Sequence, residues 1–148
     1  MTTISYNHKD KQISCDSQAT MNGIVMDINA TKFAVDGNEI HFFCGQFSDR
    51  SLMLDYYHGR EHKDEIPDVA MLTVDDRGVV WVSSITSEGL LIKGECDHHM
   101  TIGSGEQFAL SALDFGNSSK QAVEYAATRC IYTGGKVHTY DIATKQFI

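Results

Sequence analysis

Three residues near the start of the chain have the types that peptide-bond hydrolysis needs: Thr2, Asp16 and Lys32. If Met1 is removed, Thr2 carries a hydroxyl and a free α-amine on one residue. That amine titrates near neutral pH and can take the hydroxyl's own proton. A lysine ammonium close by would lower the amine's pKa by like-charge repulsion, and an aspartate would hold the lysine in place. Nucleophile, base and tuning pair thus fall within thirty-two residues. A threonine is small enough for removal of Met1 to be expected.

The elements that must position these groups are short. Strands are expected at 2–7, 11–17, 33–36, 39–45, 69–75, 79–85, 90–93 and 99–103, with a closing strand near 136–141. Asp36-Gly37-Asn38 and Asp75-Asp76-Arg77-Gly78 are tight-turn signals between apolar runs, so each marks a hairpin. A helix is expected from about 48 to 58 and another over 105–115, ending at Gly116. A third opens with Ser118-Ser119-Lys120-Gln121, a capping-box pattern, and carries Ala122, Val123, Ala126, Ala127 and Cys130 at helical spacing. Hairpins with grouped helices imply a layered α+β class in one domain, residues 1–148.

Composition narrows the partners. A net charge of −8 over 148 residues argues against nucleic acid or an anionic membrane as the main partner. No apolar run reaches spanning length and no signal peptide opens the chain, which gives an expectation of a cytoplasmic protein. Cys15, Cys44, Cys96 and Cys130 form no Cys-x-x-Cys pair and are expected as reduced thiols. Cys15 and Cys44 lie in apolar runs, where they would pack as small hydrophobes.

The stretch Thr2-Thr3-Ile4, Asp16-Ser17-Gln18-Ala19-Thr20-Met21, Val25-Met26 and Lys32 resembles the N-terminal half of the proteasome β-type threonine peptidases. Within them it is most similar to the bacterial two-ring HslV branch. The spacing from Asp16 to Lys32 fits that family without a gap, and the stretch from Thr2 to Asp16 is two residues shorter. The resemblance implies the four-layer αββα sandwich of N-terminal-nucleophile hydrolases. It implies that Gly45, in Phe43-Cys44-Gly45-Gln46-Phe47-Ser48-Asp49, offers its N–H to the oxyanion. Gln46 and Phe47 depart from the small residues usual there. Ser104, in Ile102-Gly103-Ser104-Gly105, would lie beside the Thr2 amine and could also N-cap the following helix. Arg129-Cys130-Ile131-Tyr132-Thr133-Gly134 matches the two-ring branch, where other proteasome β-subunits carry Asp at the place of Cys130. There the carbonyls of Ala127, Cys130 and Thr133 would hold a sodium ion; no other cofactor is implied. Thr20 would pair with an extended substrate, and Ala30, Phe43 and Phe47 would form an apolar specificity pocket.

A competing pattern is His58-Gly59-Arg60-Glu61-His62, the H-x-x-E-H of inverted zinc peptidases. Gly59 and the charged run towards Pro67 argue against the helix it needs. His98-His99 lacks ligand spacing and reads as a solvated turn. The family's long second helix has no counterpart between Asp49 and Val69. A homo-oligomer acting on peptides or unfolded proteins is expected, and docking to an ATP-dependent unfoldase is doubtful. The alternative is a non-catalytic proteasome-like scaffold that keeps Met1.

Overall fold

The computed structural model describes residues 1–148. The first sheet contains β1 (Thr3–Asn7), β2 (Gln12–Cys15), β10 (Met100–Gly103), β11 (His138–Asp141) and β12 (Gln146–Phe147), in the order β10-β1-β2-β11-β12. The second contains β5 (Phe33–Asp36), β6 (Glu39–Gly45), β7 (Val69–Val74), β8 (Val80–Ile85) and β9 (Leu91–Glu95), in chain order. All pairings are antiparallel. A separate ribbon joins β3 (Ala19–Met21) to β4 (Ile24–Asp27).

Alternation decides what the first sheet presents to each side. Ile4, Tyr6, Ile13 and Cys15 meet Ile40, Phe42, Leu72, Val74 and Val80 of the second sheet in one buried cluster. Burying each large side chain there contributes about 1.5–3 kcal/mol. The opposite face of β1 and β2 carries Thr3, Ser5 and Ser14, all fully buried. These small residues let α2 (Glu106–Asp114) and α3 (Ser119–Arg129) lie close to the sheet. Ser14 Oγ bonds Ser119 Oγ at 2.7 Å and Thr139 Oγ1 at 2.8 Å, tying α3 and β11 to β2. The capping box of α3 is complete: Gln121 N–H donates to Ser118 Oγ, and Ser118 N–H donates to Gln121 Oε1.

The second sheet carries α1 (Arg50–His58), which buries Met53 against Phe43, Val69 and Met71. Gly59 takes a left-handed conformation and ends that helix at His58. No helix follows before β7, as the short charged segment implies. The expected strand at 2–7 begins one residue later, and the helix after Ser104 spans nine residues. The ribbon β3–β4 and the short β12 are additions to the sequence-based elements.

Candidate functional site

Thr2 sits immediately before β1 and is 3 % exposed beneath Met1. Its position depends on Gly103 in the neighbouring strand, where φ is +109° and a Cβ would collide with the Thr2 carbonyl. That carbonyl accepts from Ser104 N–H at 2.8 Å and from Ser104 Oγ at 3.3 Å. Ser104 therefore contacts Thr2 at the carbonyl, whereas the resemblance places it beside the Thr2 amine. It does not cap α2, whose N-cap is Gly105, without a side-chain bond.

Lys32 reaches Thr2 from the segment leading into β5. Its Nζ donates to Thr2 Oγ1 at 2.8 Å, to Gln18 O at 2.6 Å and to Met1 O at 2.7 Å. The ion pair with Asp16 Oδ1 is longer, 3.5 Å. Two carbonyls and the Thr2 hydroxyl thus hold the ammonium more closely than the carboxylate does. Asp16 has a further task. Oδ1 accepts from Thr3 N–H at 3.0 Å and Oδ2 from Gly134 N–H at 3.1 Å, so it locks β1 to the turn after α3.

Burial lowers the Lys32 pKa, with Asp16 opposing the shift. Burial raises that of Asp16, opposed by Lys32 and the two backbone N–H groups. The Met1 amine is lowered first by burial and then by Lys32. With Met1 attached, the Thr2 nitrogen is an amide and the ammonium is the group that contacts the hydroxyl. Since Nζ is 2.7 Å from the Met1 carbonyl oxygen, covalent geometry puts the Thr2 nitrogen within about 5 Å of it.

Gly45 ends β6 with φ +123°, and a Cβ there would strike the Asp68 carbonyl. Cys44 beside it faces the same centre, with Sγ 3.2 Å from where a Gly103 Cβ would stand. Burial raises the Cys44 pKa, and raises that of Cys15 to about 12, so both pack as neutral thiols. Thr20 Oγ1 accepts from the Met1 amine at 3.3 Å, and Ala30 N–H donates to Ser17 O at 2.8 Å. The apolar pocket is corrected at one position. Phe43 is 2 % exposed, packed with Met53, Val69 and Met71 under α1, and lines no open pocket. Phe47 is exposed, its ring 4.6 Å from the Arg50 guanidinium carbon.

Ala127 lies in the last turn of α3, Cys130 is its C-cap and Thr133 follows in the turn. Thr133 N–H donates to Cys130 O at 3.1 Å, and Thr133 Oγ1 is 2.6 Å from Thr3 Oγ1. Hydrogen bonds from Thr133 and Ser104 hold the Cys130 thiol below its usual pKa against opposing burial.

Gln18, Thr3 and Gly134 were not singled out by sequence. They act through main-chain groups or a hydroxyl facing the helices, for which residue type carries no signal. The zinc-peptidase pattern does not form: α1 stops at His58, and His62 stacks on Tyr56 at 3.8 Å. A surface concavity of about 550 Å³ lies elsewhere, between Val35, Ile40, Tyr140 and Phe147. It is lined by none of Thr2, Asp16 and Lys32.

No protein-family model and no curated protein matches this chain in sequence. Solved structures do match. HslV from Trypanosoma brucei superposes with a TM-score of 0.69 at 19% identity, over 93% of this chain and 97% of that one. BPH of Thiobacillus denitrificans, in complex with epoxomicin, gives 0.69 at 16% identity, over 93% and 96%. BPH without that ligand gives 0.66 at 15% identity, over 94% and 95%. At these identities the likeness is one of fold: the chain has the fold of HslV and the proteasome β-type peptidases.

Proposed function

We propose that this protein is a threonine-type peptidase whose nucleophile is Thr2 after removal of Met1. The observation that carries this reading is Lys32 Nζ held 2.8 Å from Thr2 Oγ1 in a buried cluster, within an HslV-like fold. In the proposed reaction the freed Thr2 amine accepts the hydroxyl proton as Oγ1 attacks the peptide carbonyl. Lys32 keeps that amine neutral by like-charge repulsion. Gly45 N–H stabilises the tetrahedral oxyanion. Collapse breaks the C–N bond, and the protonated amine returns its proton to the leaving nitrogen. Water, deprotonated by the same amine, then hydrolyses the ester and restores Thr2. Asp16 and Ser104 position Lys32 and Thr2. Thr20 and Ala30 flank the approach of an extended substrate, with Phe47 at its entrance.

Two sheets packed face to face, with α2 and α3 outside one and α1 outside the other, support the four-layer αββα sandwich. The carbonyls of Ala127 and Cys130 at the end of α3 and of Thr133 in the turn after it are the proposed sodium ligands, beside the negative end of the helix dipole. Bound there, sodium would fix the turn that carries Gly134. Self-assembly is supported by Met21, Ile24, Val25, Met26 and Ile28, all exposed on or beside the ribbon. The absence of a helix over 59–68 argues against an unfoldase dock of the two-ring kind. A cytoplasmic location is proposed from the same soluble fold; no helix is long and apolar enough to cross a membrane.

A second reading, a scaffold that retains Met1, has one observation in its favour: the Met1 carbonyl is itself a close acceptor for Lys32. Fluorogenic peptide hydrolysis by Met1-free protein separates the two. The peptidase reading expects turnover that is lost in T2A, and an epoxomicin adduct by intact mass in wild type only. Absence of both would favour the scaffold.

A further inference from the structure

We propose that Asp36, Glu39, His41 and His58 form a zinc site on the outer face of the second sheet. The site lies where the β5–β6 hairpin meets the end of α1. It is independent of Thr2 and differs from the H-x-x-E-H pattern, sharing only His58 with it.

The first observation is an unsatisfied nitrogen. His41 is fully buried, and its Nδ1 bonds Thr73 Oγ1 at 2.8 Å. Its Nε2 has no hydrogen-bond partner. Glu39 Oε2 stands 3.5 Å away, beyond a good hydrogen bond. The hydrogen bond to Thr73 allows either tautomer of His41; in the one whose Nδ1–H donates to Thr73, Nε2 turns a lone pair towards the Glu39 carboxylate, and that pair of acceptors calls for a cation.

The second observation is spacing. One ligand atom each from Asp36, His41 and His58 lies within 4.8 Å of the others. Glu39 Oε2 stands 3.3 Å from His58 Nε2 and 3.5 Å from His41 Nε2; His58 Nδ1, 3.6 Å from Asp36 Oδ2, lies 3.1 Å from the Leu54 carbonyl, so Nε2 is the nitrogen His58 would offer. Ligands at zinc's bond lengths on a tetrahedron stand about 3.3–3.6 Å apart. Two imidazoles and one or two carboxylates are donors this ion takes. Thr73 supplies the outer hydrogen bond of a ligating histidine. Arg60 donates to Asp36 at 3.0 Å, which a carboxylate with four lone pairs can accept beside an ion. The two carboxylates and Arg60 sum to −1, favouring a cation. The ion would clip the last residue of α1 to the hairpin.

Titration of the metal-free full-length protein with Co²⁺, then Zn²⁺, tests the site. The proposal expects one Co²⁺ per chain, visible bands of tetrahedral intensity, their loss on adding Zn²⁺, and a zinc-dependent rise in melting temperature. H58A and E39Q, both at partly exposed positions, should remain folded by circular dichroism and lose the bands. T73V should weaken binding by about tenfold or more. H98A/H99A should leave binding unchanged. No saturable binding, or bands that survive H58A and E39Q, would overturn the proposal, as would bands that vanish in H98A/H99A.

Discussion

The cluster at Thr2 and the cluster at His41 stand at opposite ends of one stretch of chain, and they differ in how their polar atoms are satisfied. Lys32 has four acceptors and Asp16 takes two backbone donors as well as the lysine. His41 leaves Nε2 with no partner. A saturated buried network holds its members in one geometry before any ligand arrives. An unsatisfied one costs free energy until something fills it. The first arrangement suits a nucleophile that must be pre-aligned, and the second suits a site completed by an ion.

The sharpest way to break this contrast is to remove the nucleophile. T2A should lower peptide hydrolysis on the order of 10⁴-fold or more, as for removal of a nucleophile elsewhere. T2S should keep part of the activity. Steady-state turnover of a fluorogenic peptide reads both, and an active T2A would move the chemistry away from Thr2.

K32A comes next, with an expected loss of about 10²–10⁴-fold. The fold should survive by circular dichroism, because Asp16 retains Thr3 and Gly134 N–H. D16N should lose less activity, since in Met1-free protein Lys32 still keeps two closer partners, Thr2 Oγ1 and Gln18 O. It should cost about 1–3 kcal/mol of stability, because an amide NH₂ must face a donor on one side. Urea melts of the two variants would separate the roles; equal activity losses would mean that the carboxylate, rather than the carbonyls, holds the lysine.

Much of this contrast follows from what a sequence can and cannot carry. Hairpin β5–β6 is legible because Asp36-Gly37-Asn38 separates two apolar runs, and α3 because Ser118 and Gln121 spell its cap. Thr2, Asp16 and Lys32 are legible as residue types, and the Lys32 Nζ lies 2.8 Å from Thr2 Oγ1 and 3.5 Å from Asp16 Oδ1. The ribbon β3–β4 is missed although Asn22-Gly23 is a turn signal, because exposed Met21, Ile24, Val25 and Met26 show no inward–outward alternation. Phe43 reads, with Ala30 and Phe47, as an apolar pocket residue, whereas packing under α1 decides its burial. His41 and His58 meet only through tertiary structure: one lies in a strand, the other at a helix end, and neighbouring Glu61 and His62 offer a false partner set.

The His41 cluster makes a pH prediction. Its folded pKa, about 4, is below the ordinary 6.5. Between those values the unfolded chain binds more protons, so stability is full above about pH 6.5 and falls as pH drops towards 4, by at most about 3 kcal/mol. Thermal melts at pH 7 and pH 5 should show that loss in metal-free wild type and a smaller one in H41N. Identical slopes would place the acid sensitivity elsewhere.

The smallest effect is expected from S104A. The Ser104 N–H already holds the Thr2 carbonyl at 2.8 Å, while the hydroxyl stands at 3.3 Å. Its loss should change kcat by less than about tenfold. A larger fall would give the hydroxyl a direct part in the proton transfer.

The central claim is that a free Thr2 amine makes this cluster catalytic, and one comparison tests it directly. Protein beginning at Thr2 and protein retaining Met1, each verified by intact mass, are assayed side by side on the same peptide. The account predicts hydrolysis by the first and none by the second, where the base is tied up as an amide. Equal rates, or an inactive Thr2-initiated protein, would contradict it.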